Sequence, residues 1–305
     1  MAELILHHFD ASPFAEKVRL ALGLKQLAWH SVQIPMVMPK PLLTALTGGY
    51  RKTPVLQIGA DVYCDTQRIA AELERRYPEP SLFPDGSCGL SLALSNWSDA
   101  AFFRPGAALS MGTNEGIPGE VLQDREAFFG FLDFSRLRED LPHFFAQYRA
   151  QLLLIEDMLG DGRDFLLGDQ PGWADILAYF PLWMGRGNIA ATSEMAAGLT
   201  RLAAWESRVT ALGYGEPSPL PAEDAVTLAR DSEPASEQLI EPEPWLADIA
   251  AGDTVTVTPS DYGEVPVRGR LHRLTGEDVA VRISPDDVGD LVVHFPRIGY
   301  EVKRV

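Results

Sequence analysis

The sequence predicts three consecutive folded parts: an α/β segment over residues 1–85, an all-helical segment over 90–214, and a small all-β segment over 245–305. Three observations carry this. Up to the prolines Pro78 and Pro80, short apolar runs alternate with helical periodicities. From Leu90 to about Leu212, apolar residues recur at helical spacing without any long strand pattern. After Trp245, five short runs alternate with a period of two between glycine turns.

Taken in order, Leu4 to Phe9 is an apolar strand broken by Asp10-Ala11-Ser12-Pro13. A helix follows, with Ser12 suited to its N-cap, Pro13 to its first turn, and Phe14, Val18 and Leu22 on its apolar face. Trp29 to Ile34 is a second strand, followed by a Pro-rich stretch, a short helix near Leu42 to Leu46 and a turn at Gly48-Gly49. Val55 to Ile58 and Val62 to Cys64 make a hairpin around Gly59-Ala60-Asp61. A helix from Thr66 to about Tyr77 stops before Pro78. The order β-α-β-α-β-β-α is that of the thioredoxin fold.

In the middle part, Leu152, Ile155 and Leu159 share a helix face that Gly160 can end. Further helices are expected from Trp173 and over Ala196 to Leu212. Residues 215–244 intersperse prolines with acidic residues around one short helical patch, Ala222 to Arg230, which predicts a linker. The strands expected after it are Thr254 to Thr258, Val265 to Leu274, Val279 to Ile283, Leu291 to Phe295 and Tyr300 to Val305. Five strands in so short a segment suggest a small SH3-like or OB-like barrel.

Composition narrows the function. The chain is 46% hydrophobic and 23% charged with a net charge of −17, which disfavours nucleic acid or an anionic membrane as partner. Two cysteines, Cys64 and Cys88, give no disulfide framework and suit a reducing compartment. The N-terminus lacks a basic, apolar leader, and no run is long enough to span a bilayer, so a cytoplasmic protein is expected. No metal-ligand pattern is seen. The His7-His8 doublet is expected to pack within its strand.

Four features of the first part converge. Ser12 stands at a strand-to-helix junction, where a hydroxyl and a helix N-terminus favour an anion such as a thiolate. A free thiol titrates near ~8.5, so such stabilisation would raise its ionised fraction at neutral pH. Thr53-Pro54 opens an apolar strand, a place for an extended peptide to pair. Asp65-Thr66 opens the next helix, where backbone N–H groups and a hydroxyl suit a carboxylate and Asp65 suits an amino group. Lys40, before the short helix, could meet a second carboxylate. Taken singly, Ser12 and Asp65-Thr66 also read as helix caps, Pro54 as a turn proline and Lys40 as a surface lysine. Together they fit an extended tripeptide with a carboxylate at each end and a thiol between.

On these residues the chain resembles the cytosolic glutathione S-transferase family. Ser12-Pro13-Phe14 is similar to the active-site segment of its omega-like members, with serine in place of cysteine. Thr53-Pro54-Val55-Leu56 resembles the segment holding the family's cis proline, and Asp65-Thr66 stands where the family has Glu-Ser. Phe165 to Asp175 resembles the family's helical-domain capping segment, with Gly172 where Ser or Thr is usual and Asp175 in a structural role. The resemblance covers residues 1 to about 215. It implies glutathione as co-substrate, no metal, Ser12 as the catalytic group, and Phe14, Lys40, Thr53, Pro54, Asp65 and Thr66 as glutathione-binding residues. It further implies a small apolar electrophile held by Trp97, Phe102 and Phe103 between the domains, a homodimer, and a detoxifying conjugation. The alternative is a binding or regulatory protein that keeps the fold without catalysis. The barrel lies outside the resemblance.

Overall fold

The computed structural model describes residues 3–246 and 248–305; Met1, Ala2 and Ala247, which the expected 1–85 and 245–305 ranges include, lie outside the described residues. The chain forms two compact units. Of the described residues, one holds those up to Ala15, Ala28–Glu72 and those from Glu216; the other holds Glu16–Leu27 and Leu73–Gly215.

The N-terminal elements follow the expected order: β1 (Ile5–His8), α1 (Pro13–Leu24), β2 (Ala28–Gln33), α2 (Pro41–Thr47), β3 (Val55–Ile58), β4 (Asp61–Cys64) and α3 (Thr66–Arg76). β1 pairs in parallel with β2 and antiparallel with β3, and β3 pairs antiparallel with β4. All four residues of β1, β3 and β4 are buried, the polar His7, His8, Gln57 and Asp61 among them. The histidine doublet packs as expected. His7 donates from Nε2 to Gln57 Oε1 at 2.8 Å, and His8 Nε2 lies 2.9 Å from Ser31 Oγ.

The second unit is helical: α4 (Cys88–Asn96), a π-helical turn over Trp97–Phe102, α5 (Phe103–Thr113), α6 (Gly119–Phe128), α7 (Leu137–Met158), α8 (Trp173–Asn188), α9 (Thr192–Met195) and α10 (Thr200–Thr210). Asp175 organises the start of α8. One carboxylate oxygen accepts from the Gly172 N–H at 3.0 Å; the other accepts from the Leu166 N–H and the Trp205 indole, both at 2.8 Å. Burial raises the pKa of this carboxyl, against the opposing pull of its three donors. Packing explains the glycine at 172. A Cβ there would lie 2.9 Å from Pro84 Cδ and 3.1 Å from the Leu82 carbonyl, so a serine or threonine cap does not fit without a shift.

The remaining elements are β5 (Glu216–Pro219), α11 (Ala222–Arg230), β6 (Leu239–Ile240), β7 (Thr254–Pro259), β8 (Val267–Leu274), β9 (Asp278–Ile283), β10 (Leu291–Pro296) and β11 (Tyr300–Arg304). Here the structure departs from the expected linker. β5 pairs in parallel with β2, Ala28 opposite Glu216 through Ser31 opposite Pro219. Its prolines are tolerated because β5 lies at the end of the sheet, where one side has no ladder to complete. α11 buries Ala225, Val226 and Ala229, and Gln57 Nε2 donates to the Ala225 carbonyl at 2.8 Å. Residues 215–244 are therefore pinned along much of their length.

The strand-rich C-terminal region is present as expected: β7 to β10 form an antiparallel meander and β11 returns beside β7. It does not stand apart from the first sheet. β10 pairs in parallel with β4, Val292 opposite Asp61 through His294 opposite Tyr63. One apolar core runs through both parts, from Ile5, Val55 and Val62 to Val281, Val293 and Phe295. A buried polar pair marks the seam. His294 donates from Nε2 to Asp61 Oδ1 at 2.8 Å, the other Asp61 oxygen accepts from the Ala235 N–H at 2.7 Å, and the Tyr63 ring stacks on the imidazole. Burial disfavours the charged imidazole and lowers its pKa, so the neutral tautomer with its proton on Nε2 fits the site.

Two measurements follow from this packing. Asp175→Ala leaves three buried donors without an acceptor and should destabilise the protein by about 3 kcal/mol or more in urea unfolding. His7 is held by burial at a pKa of about 4 against an ordinary 6.5, the Gln57 bond opposing only in part. The folded value lies below the unfolded one, so the contribution is full above pH 6.5 and is lost as pH falls towards 4. His7→Gln should accordingly reduce the difference in unfolding free energy between pH 7 and pH 4.5 by about 2 kcal/mol.

Candidate functional site

Strand register brings the expected site segments together. His7 lies opposite Val55, and Val55 lies opposite Cys64. The loop after β1, the residues before β3 and those after β4 thus meet at one end of three adjacent strands. These segments are Ser12, Thr53-Pro54 and Asp65-Thr66. Neighbouring strands are ~4.8 Å apart, so the row spans roughly 10 Å. An extended tripeptide is about 10 Å long.

Ser12 caps α1: its Oγ accepts from the Ala15 N–H at 3.2 Å, and the residue is only 3% exposed. Capping uses a lone pair and leaves the hydroxyl proton to be donated elsewhere, so the cap does not compete with a thiolate. Phe14, one position into the helix, is half-buried. Thr53-Pro54 has the expected cis peptide bond. Lys40 immediately precedes α2. It is buried and donates from Nζ to Thr53 Oγ1 at 3.1 Å, with its ammonium 5.5 Å from the Phe9 ring centre, so it is not a surface lysine.

Asp65 turns the chain from β4 into α3 at φ 74°, a left-handed conformation in which aspartate is among the better-tolerated residues. Its Oδ1 accepts from the Gln67 N–H at 2.9 Å, which caps the helix, and its side chain remains partly exposed. Thr66 opens α3 and is buried. Cys64 is enclosed in the apolar core; burial, and secondarily the Asp65 carboxylate, push its thiol pKa well up and leave it unreactive as a nucleophile.

Of the aromatic residues expected to hold an electrophile, Phe102 and Phe103 are buried and Trp97 is half-buried. Phe102 is fully buried and packs on Tyr148 and Trp97; Phe103 packs among Phe129, Phe131 and Phe180. Trp97 donates its indole N–H to Gln151 at 2.8 Å. Phe102 and Phe103 are core residues of the helical unit, their rings already covered by other rings.

Sequence reasoning missed the residues reaching these segments from the C-terminal strands. The Tyr300 hydroxyl donates to Asp65 Oδ2 at 3.0 Å and lies 2.9 Å from the Tyr50 hydroxyl. Lys52 is ion-paired with Asp261 and lies 4.3 Å from the centre of the Tyr262 ring. Arg68, on α3, bonds Glu72 at 3.0 Å and approaches Asp278 of β9 at 3.7 Å. The only local signal was that Asp261-Tyr262 and Tyr300 flank turns.

Comparison with known proteins agrees with this architecture. Residues 6–81 match the family model for the glutathione S-transferase N-terminal domain, and residues 128–212 match that for the C-terminal domain. A glutathione S-transferase-like protein from Pseudomonas syringae is 35% identical over 100% of both chains, with a TM-score of 0.81. The chain belongs to the glutathione S-transferase family. The Pseudomonas likeness runs through the C-terminal strands as well. A glutathione S-transferase from Rhodospirillum rubrum shares the fold at 24% identity and a TM-score of 0.53, covering 80% of this chain and 98% of its own. FtsZ-localized protein A of Caulobacter vibrioides is 28% identical over 181 residues, which is 58% of this chain and 74% of that protein.

Proposed function

We propose that the protein binds glutathione across the ends of β1, β3 and β4 and activates its thiol at Ser12 for attack on an apolar electrophile. The observation that carries this reading is the strand register, which aligns Ser12, Thr53-Pro54 and Asp65-Thr66 over the length of a tripeptide. Asp65 receives the α-amino group. Thr66 and the N–H groups at the start of α3 receive the γ-glutamyl carboxylate. Thr53-Pro54 pairs with the cysteinyl backbone, and Lys40 meets the glycyl carboxylate. The Ser12 hydroxyl donates to the sulfur, and the N-terminus of α1 adds a favourable field. The thiol proton leaves to solvent, the thiolate forms the new carbon–sulfur bond, and with an aryl halide the halide departs with its bonding electrons.

A second reading is a glutathione-fold protein that serves binding or regulation without catalysis. The likeness to FtsZ-localized protein A, extending over most of that protein, favours it. Turnover separates the two: glutathione binding with no conjugation of any aryl halide or epoxide supports the second.

For the first reading, Ser12→Ala should lower kcat by roughly 10- to 100-fold, the loss expected for one hydrogen bond to a charged sulfur. Glutathione Kd should change by less than about threefold, and undiminished kcat in that variant removes Ser12 from the chemistry. Lys40→Met should weaken glutathione binding about tenfold, as for loss of one charge-assisted contact, while sparing kcat. Millimolar glutathione should raise the melting temperature of the wild-type chain, and a flat response excludes the first reading.

A further inference from the structure

The C-terminal part of the chain sends side chains to two of the three segments on which the glutathione reading rests. Lys52, next to Thr53, pairs with Asp261 and lies over Tyr262 in the loop after β7. At the other end, Tyr300 is the first residue of β11 and is 6% exposed, with its ring 5.4 Å from that of Phe295. Its hydroxyl donates to Asp65 Oδ2. Because that proton is committed to the carboxylate, the 2.9 Å contact with Tyr50 is one in which Tyr50 donates and Tyr300 accepts. The two buried hydroxyls form a directed chain, Tyr50 to Tyr300 to Asp65. Burial, and behind it the Asp65 charge, raise both phenol pKa values well above normal and keep the donors protonated.

A carboxylate offers about four lone-pair directions. At Asp65 the Gln67 N–H and Tyr300 take one on each oxygen, which fixes the rotation of the group and leaves acceptor capacity on its exposed side. An ammonium ion arriving there finds an acceptor already oriented and pays little rotamer entropy to bind.

We propose that Tyr300, supported by Tyr50, is a positioning residue of the ammonium subsite, so that the C-terminal strands form part of the glutathione site. This rests on the glutathione reading above. It also gives the added strands a role in ligand choice: they favour γ-glutamyl peptides with a free α-amino group over otherwise identical peptides without one.

The test compares two probes on the full chain by calorimetry. These are glutathione and its deaminated analogue, glutaryl-cysteinyl-glycine, which keeps both terminal carboxylates and the thiol. The wild type should prefer glutathione by about tenfold or more. Tyr300→Phe should cut that preference at least about fivefold while leaving the affinity for the analogue within about twofold. Tyr50→Phe, which keeps the Tyr300–Asp65 bond, should reduce the preference by a smaller factor. It supplies the same readout should Tyr300→Phe melt below the assay temperature. A preference that survives in both variants overturns the proposal, as does equal weakening of both peptides, the mark of a merely structural contact. A wild-type chain that binds neither peptide removes the glutathione reading itself, and the role of Tyr300 with it. Binding of both peptides with variants unchanged removes the role of Tyr300 alone.

Discussion

The pairing of β10 with β4 is the contact on which the first unit depends. Without it, β4 would be an edge strand carrying a row of unpaired N–H and C=O groups beside an apolar surface, a template for aggregation. β10 satisfies that row from within the same chain, and the Val292 N–H bonds the Ala60 carbonyl at 3.1 Å where the ladder begins. The His294–Asp61 pair makes the register specific. A slip of one residue would carry the imidazole to the opposite face, leaving a buried carboxylate short of a donor and a buried ring short of an acceptor.

Several features of the candidate site follow from the same seam. Once β10 is beside β4, the strands behind it bring β11 and the loop after β7 to the side of the sheet where Asp65 and Lys52 stand. Asp65 illustrates how layered the arrangement is. Its backbone makes the left-handed turn between strand and helix, one oxygen caps α3, and the other is held by a phenol from the far end of the chain. Ser12 is likewise both a cap and a candidate donor, because a hydroxyl can accept and donate at once. In both places the structural role leaves room for the proposed chemical one.

What was legible in the sequence was local. The thioredoxin order, the helical middle and the strands near the C-terminus follow from periodicity, proline stops and glycine turns, each written within a dozen residues. Gly172 and Asp175 were legible as a cap, although the crowding by Pro84 and Leu82 that requires glycine was not. Two things were hidden. Pro217 and Pro219 resemble linker composition because nothing nearby reveals that β2 offers them an edge. The match of Val293 to Val62 and the bond from Tyr300 to Asp65 join residues more than two hundred positions apart, and neither partner carries a motif announcing the other. The aromatic rings at 102 and 103 are a further case where three dimensions add what spacing lacks. Helical spacing places them correctly, but burial among other rings, visible only in three dimensions, decides their role.

The discontinuity of the first unit has a consequence for how the protein is made. Asp65 leaves the ribosome 235 residues before Tyr300. At synthesis rates of about 5–20 residues per second that is roughly 10 to 50 s, during which β4 has no β10 to pair with. The helical unit is completed within that interval, since its last residue is Gly215. The strand that covers the β4 edge is therefore made only after the whole helical unit has been synthesised.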